Sequence, residues 1–116
     1  MVRFTVSQKG DVTVVELLDE EILDESSIGE IADSVFFLVQ DNPSVQMLLD
    51  FSGVKYISSM MLGTLVKLNK SIIEGGGALK LCCINPTLYT VFEVTQLYRG
   101  LSIYEDEETA LEGFAE

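Results

Sequence analysis

The sequence predicts an α/β fold, a single mixed sheet of about four or five strands with about four helices packed on it. Three observations predict it. Two Val- and Thr-containing segments near the start are separated by a short turn, as in a hairpin. Beyond them, segments of strand and helix periodicity alternate, which is the signature of crossovers joining parallel strands. One interior segment, Val45 to Phe51, is almost wholly apolar, as expected of a central strand buried on both faces. At 116 residues the chain is expected to form one domain, 1–116.

Element by element, Arg3 to Ser7 and Val12 to Leu18 are read as strands, with Lys9-Gly10-Asp11 as the turn between them. The acidic segment Asp19 to Ser27 is read as a solvated loop leading to a helix capped near Ser26 or Ser27. Ile28, Ile31, Ala32, Val35, Phe36 and Val39 recur at steps of three and four and form one stripe of an amphipathic helix. Asn42-Pro43-Ser44 ends that helix, and the strand Val45 to Phe51 follows.

From Ser59 to Glu74, Met61, Leu65, Leu68 and Ile72 keep helical register, with Leu62, Val66 and Ile73 alongside. Gly75-Gly76-Gly77 stops this second helix, and Ala78 to Ile84 reads as the next strand. Asn85 is placed as a cap and Pro86 at a first helical turn, starting a short helix through Leu88, Val91, Phe92 and Thr95. Ser102 to Tyr104 suits a last strand, and Asp106 to Ala115 an acidic-started terminal helix.

Composition excludes several classes of function. The balance of 47% hydrophobic to 22% charged residues is that of a folded globule. The net charge of −12 repels phosphate backbones and anionic headgroups, so neither nucleic acid nor a membrane surface is an expected partner. No apolar run approaches the roughly 20 residues of a membrane span. The opening MVRFTVSQKG lacks an export signal, and a cytoplasmic location is expected. Cys82 and Cys83 are adjacent and the chain has no histidine, so no metal or cofactor is expected. Two neighbouring strand residues would point to opposite faces as small apolar fillers.

The most informative stretch is LLDFSGVKYISSMMLGTLVKL, a buried strand, a tight loop, and a helix that opens at a serine pair. Asp50, Ser52, Val54, Tyr56, Ile57, Ser59, Leu62 and Gly63 resemble the signature of STAS domains. More narrowly, they are similar to the anti-sigma factor antagonists, in which an Asp-Ser-Ser/Thr-Gly-Leu-Gly run follows the strand. The resemblance continues through GGGALKLCCINPTLYTVFEVTQL, with its glycine turn, strand and Phe-acidic-apolar-Thr-x-Leu ending, and covers most of the chain. It implies a STAS-type sheet and a bacterial partner-switching protein in signal transduction and transcription regulation.

By that resemblance Ser59 occupies the place of the serine phosphorylated by a serine kinase that is also the anti-sigma factor, and Ser58 is the second candidate. Read locally, a serine here is an ordinary helix cap worth about 1 kcal/mol. The resemblance further implies that a phosphatase of the PP2C type reverses the modification, and that Asp24, Ser58, Ser59 and Met60 face the partner. Asp19, Glu20 and Glu21 compete with Asp24 for its role. Three positions depart from the family pattern: Ser58 stands for its Asp, Met60 for the second small hydroxyl residue, and Met61 for its Gly. Met61 is expected in the core, whereas Met60 suits an adaptable binding surface. An alternative use of the same fold is a scaffold, or a regulatory subunit of a signalling complex or transporter, without phosphorylation.

No catalytic residues are expected. No Gly-x-x-x-x-Gly-Lys loop occurs, Gly75 to Gly77 follow a helix and not a strand, and no nucleophile and base stand in a recognisable pairing.

Overall fold

A computed structural model of the chain describes residues 3–96 and 99–115. Among them the elements run β1 (Phe4–Lys9), β2 (Val12–Leu17), β3 (Glu21–Ile22), α1 (Glu25–Asp41), β4 (Gln46–Asp50), β5 (Tyr56–Ile57), α2 (Ser59–Glu74), β6 (Ala78–Cys82), α3 (Pro86–Val94), β7 (Ser102–Tyr104) and α4 (Glu107–Phe114). Leu97, the last residue of the FEVTQL ending, lies outside the described residues.

Five strands form one mixed sheet in the order β1-β2-β4-β6-β7. The β1–β2 hairpin is antiparallel and closes over Gly10-Asp11, where Gly10 takes the left-handed φ of 61° that the tight turn demands. The other three pairings are parallel. The apolar segment predicted to be central is β4, which has two strands on either side. Its side chains alternate: Met47 and Leu49 join the larger core with Val15, Leu17, Leu79 and Leu81, beneath α1, α2 and α3. Leu48 faces the other way, onto a smaller cluster with Val12, Val14, Cys82 and Ala110 of α4. One face of the sheet is therefore covered by three helices and the other by a single short one.

Several details differ from the expectations. The acidic segment is not a loop throughout, because Glu21–Ile22 pair in parallel with Tyr56–Ile57 as a separate two-stranded ladder. Ile22 is fully buried, and burying such a side chain contributes about 1.5–3 kcal/mol. The cap of α1 is Asp24, not Ser26 or Ser27; its Oδ2 accepts the Ser27 N–H at 2.9 Å, so the helix starts a turn earlier. Ser27 is instead buried within the first turn. On α2, Met61, Leu62, Leu65, Leu68 and Ile72 are buried, whereas Val66 and Ile73 are exposed and line a surface cleft with Leu101.

The strand expected to reach Ile84 stops at Cys82, because Cys83 adopts a left-handed φ of 63°. That backbone turn also overturns the expected placement of the cysteines on opposite faces. The Cys83 Sγ lies 3.6 Å from the Cys82 Sγ. Burial pushes both thiols above their ordinary pKa.

Candidate functional site

The serine pair sits where β5 passes into α2. Ser58 has an extended backbone and caps the helix, its Oγ accepting the Met61 N–H at 3.3 Å. The capping role considered for Ser59 thus belongs to its neighbour. Ser59 is the first helical residue, is exposed, and makes no side-chain hydrogen bond among the described residues. Met60 is 50% exposed, whereas Met61 is buried in the core as its spacing predicts.

The strand and loop before this helix hold the pair in place. Asp50 ends β4 with only 7% of its surface exposed, and its Oδ1 accepts the Ser52 N–H at 2.8 Å, which tightens the chain as it leaves the sheet. Val54 is buried, and its carbonyl together with that of Lys55 accepts from the Asn85 side chain, which also caps α3 through the Leu88 N–H at 2.7 Å. Phe51 N–H donates to the Cys82 carbonyl at 3.0 Å and extends the sheet one step toward the loop.

Asp24 comes to the same end of the molecule through the small ladder. Ile22 and Ile57 are register partners in β3 and β5, and Asp24 and Ser59 each follow two residues later. Two parallel strands thus deliver two helix N-termini side by side. Further bonds tie the acidic segment to the loop: Lys55 N–H and Tyr56 N–H donate to the Glu20 carbonyl at 2.7 and 3.2 Å.

The acidic residues that compete for Asp24's role are occupied differently. Asp19 accepts from Arg3 at 3.0 Å, and the same guanidinium reaches Glu30 at 3.1 Å. Glu20 pairs with Lys55 at 3.6 Å across the exposed surface, and Glu21 is exposed on the ladder. Asp24 is exposed but committed to its cap; the Ser27 N–H holds its carboxyl below the ordinary carboxylate pKa. Sequence reasoning missed two exposed apolar side chains on these segments, Leu23 and Tyr56. No local signal in the sequence could have found them, because β3 and β5 are two residues each and too short to show a period.

The arrangement offers an accessible hydroxyl among exposed apolar and acidic groups at the mouths of two helices. Among the described residues no helix is long and apolar enough to cross a membrane.

Comparison with known proteins agrees with this geometry. The STAS domain model matches residues 3–110. The anti-sigma F factor antagonist of Paenibacillus polymyxa is 25% identical over 73 residues, which span 63% of this chain and 62% of that protein. Among solved structures, an anti-sigma factor antagonist (STAS) domain protein from Planctomyces limnophilus superposes with a TM-score of 0.86 at 25% identity, covering 98% of each chain. A candidate anti-sigma factor antagonist from Thermotoga maritima gives a TM-score of 0.84 at 27% identity, covering 97% of this chain and 95% of its own. The sheet order, the strand-to-helix passage at Ser58-Ser59 and the match over residues 3–110 together establish that this chain belongs to the STAS domain family, with anti-sigma factor antagonists among its relatives.

Proposed function

We propose that this chain is an anti-sigma factor antagonist that works by binding and not by turnover. Unphosphorylated, it captures a serine kinase that is also the anti-sigma factor. Phosphorylation of Ser59 releases that partner, and a phosphatase of the PP2C type restores the binding form. The observation that carries the reading is the division of labour in the serine pair. Ser58 caps α2, which leaves the Ser59 hydroxyl exposed and free to be modified without loss of the cap.

Phosphate on Ser59 adds about −1.5 to −2 charges at the positive end of a helix. The Met61 and Leu62 N–H groups are held by Ser58, whereas those of Ser59 and Met60, first-turn donors with no carbonyl of the helix to reach, favour the added charge. The domain keeps its fold while its docking surface, on which we place Asp24, Ser58, Ser59 and Met60, turns strongly anionic. A partner whose contact surface includes anionic groups then no longer seats there.

Incubation with serine kinases encoded near the gene, followed by phosphopeptide mapping, tests the reading. The expected result is a single phosphate on Ser59 and loss of kinase binding by Ser59→Asp. Labelling elsewhere, with full retention of binding by Ser59→Asp, would refute it. A complex that is indifferent to phosphatase treatment would point instead to a constitutive scaffold.

A further inference from the structure

On the opposite face of the sheet, under α4, the register lines up Glu16, Asp50, Cys82 and Tyr104 across four neighbouring strands. Asp50 and Cys82 are direct partners on β4 and β6, with side chains on the same face. Ordinarily the next residue would point away. Cys83 does not, because its left-handed backbone, which non-glycine residues seldom adopt, folds its thiol back beside that of Cys82. The two Sγ atoms and an Asp50 carboxylate oxygen all lie within 4.8 Å of one another.

We propose that Asp50, Cys82 and Cys83 form a binding site for one thiophilic divalent cation of the zinc class. With Zn–S bonds of about 2.3 Å, tetrahedral geometry sets two thiolates about 3.8 Å apart, and a thiolate and a carboxylate oxygen about 3.6 Å apart. The observed S–S separation of 3.6 Å already meets that spacing without movement of the backbone. Two sulfur donors select zinc-like ions over magnesium or calcium, which take oxygen ligands.

The surroundings support the ligands. The Ser52 N–H fixes the Asp50 carboxylate through Oδ1 at 2.8 Å. Glu107 opens α4 over this face, next to the small cluster that holds Cys82 and Cys83. Cys83 is only half-buried and gives the ion its way in, and a water would complete the tetrahedral set. Binding exchanges two thiol protons for the cation; the protons pass to solvent, and no electron moves.

The site lies outside the Ser58-Ser59 surface and does not depend on any modification there. Cobalt(II), a spectroscopic substitute for zinc, tests it on the reduced full-length chain. The expected result is a thiolate-to-cobalt charge-transfer band that saturates at one equivalent and is removed by equimolar zinc. Cys83→Ser, at a half-buried position that keeps the fold, loses the intensity of one thiolate and weakens binding at least about tenfold. Asp50→Asn keeps the band and, as the loss of a direct ligand, weakens binding by at least the roughly tenfold that losing an outer contact costs. Absence of the band, cobalt bound without it by surface carboxylates, or an unchanged band in Cys83→Ser would each overturn the proposal.

Discussion

The backbone N–H of Ser58 donates to the carbonyl of Ile22 at 3.1 Å. This bond fastens the residue that caps α2 to the strand that leads into the cap of α1. The two helix mouths, 34 residues apart in the chain between Asp24 and Ser58, are thereby fixed relative to each other.

Ser58 and Ser59 should separate cleanly in stability. Ser58→Ala removes the cap and is expected to cost about 1 kcal/mol. For a domain of this size that lowers Tm by roughly 4 °C. Ser59→Ala should stay within about 0.5 kcal/mol of wild type. Thermal and urea unfolding of the two variants measure the difference, and equal losses would count against the assignment of the cap.

Charge at position 59 should act on the helix with a definite sign. Ser59→Asp places a negative group at the first helical position and is expected to stabilise by about 0.3–1 kcal/mol, while Ser59→Lys destabilises by a similar amount. Both effects should shrink in high salt. An Asp variant that unfolds would contradict a switch that leaves the fold intact.

Acid should loosen the two acidic caps. Asp24 and Asp106 are held below their ordinary pKa by the N–H groups of Ser27 and Thr109. Their folded-state values are depressed, so their contribution is fully present above the unfolded value of about 3.9 and is lost as pH falls through the lower folded value. Asn at either position retains the cap but cannot titrate. The acid limb of a stability–pH curve should therefore flatten in Asp24→Asn and Asp106→Asn.

The small ladder should be energetically significant despite its two-residue strands. Ile22→Ala removes a fully buried side chain and is expected to cost about 2–5 kcal/mol. Faster hydrogen exchange at the Ser58 amide should accompany that loss if the ladder positions the serine pair.

The glycine turn between α2 and β6 should resist side chains. A Cβ on Gly77 would collide with the Val45 carbonyl at the start of β4, and Gly76 has a φ of 88° that other residues avoid. Gly77→Ala is expected to destabilise by about 1–3 kcal/mol through forced displacement of the strand. Denaturant titration gives the value.

Much of the architecture is set by local pattern. The apolar stripe from Ile28 to Val39, the continuous run at Met47 to Leu49, and the Asn85-Pro86 helix start each follow from the 3.6- or 2-residue periodicity and cap chemistry that any short window carries. Met61 as core and Ser58-Ser59 at a helix mouth are legible on the same basis, and the order of elements limits the fold to a mixed sheet under helices. Tertiary structure alone decided what depends on partners distant in sequence. The pairing of Glu21-Ile22 with Tyr56-Ile57 has no local signature, because two residues are too short to show a period. Which of Asp24, Ser26 and Ser27 caps α1 was settled by where the ladder delivers the chain, since Asp and Ser both cap well. The folding back of Cys83 toward Cys82 and Asp50 rests on a single backbone angle at the end of a strand, and alternation along the sequence predicts the opposite.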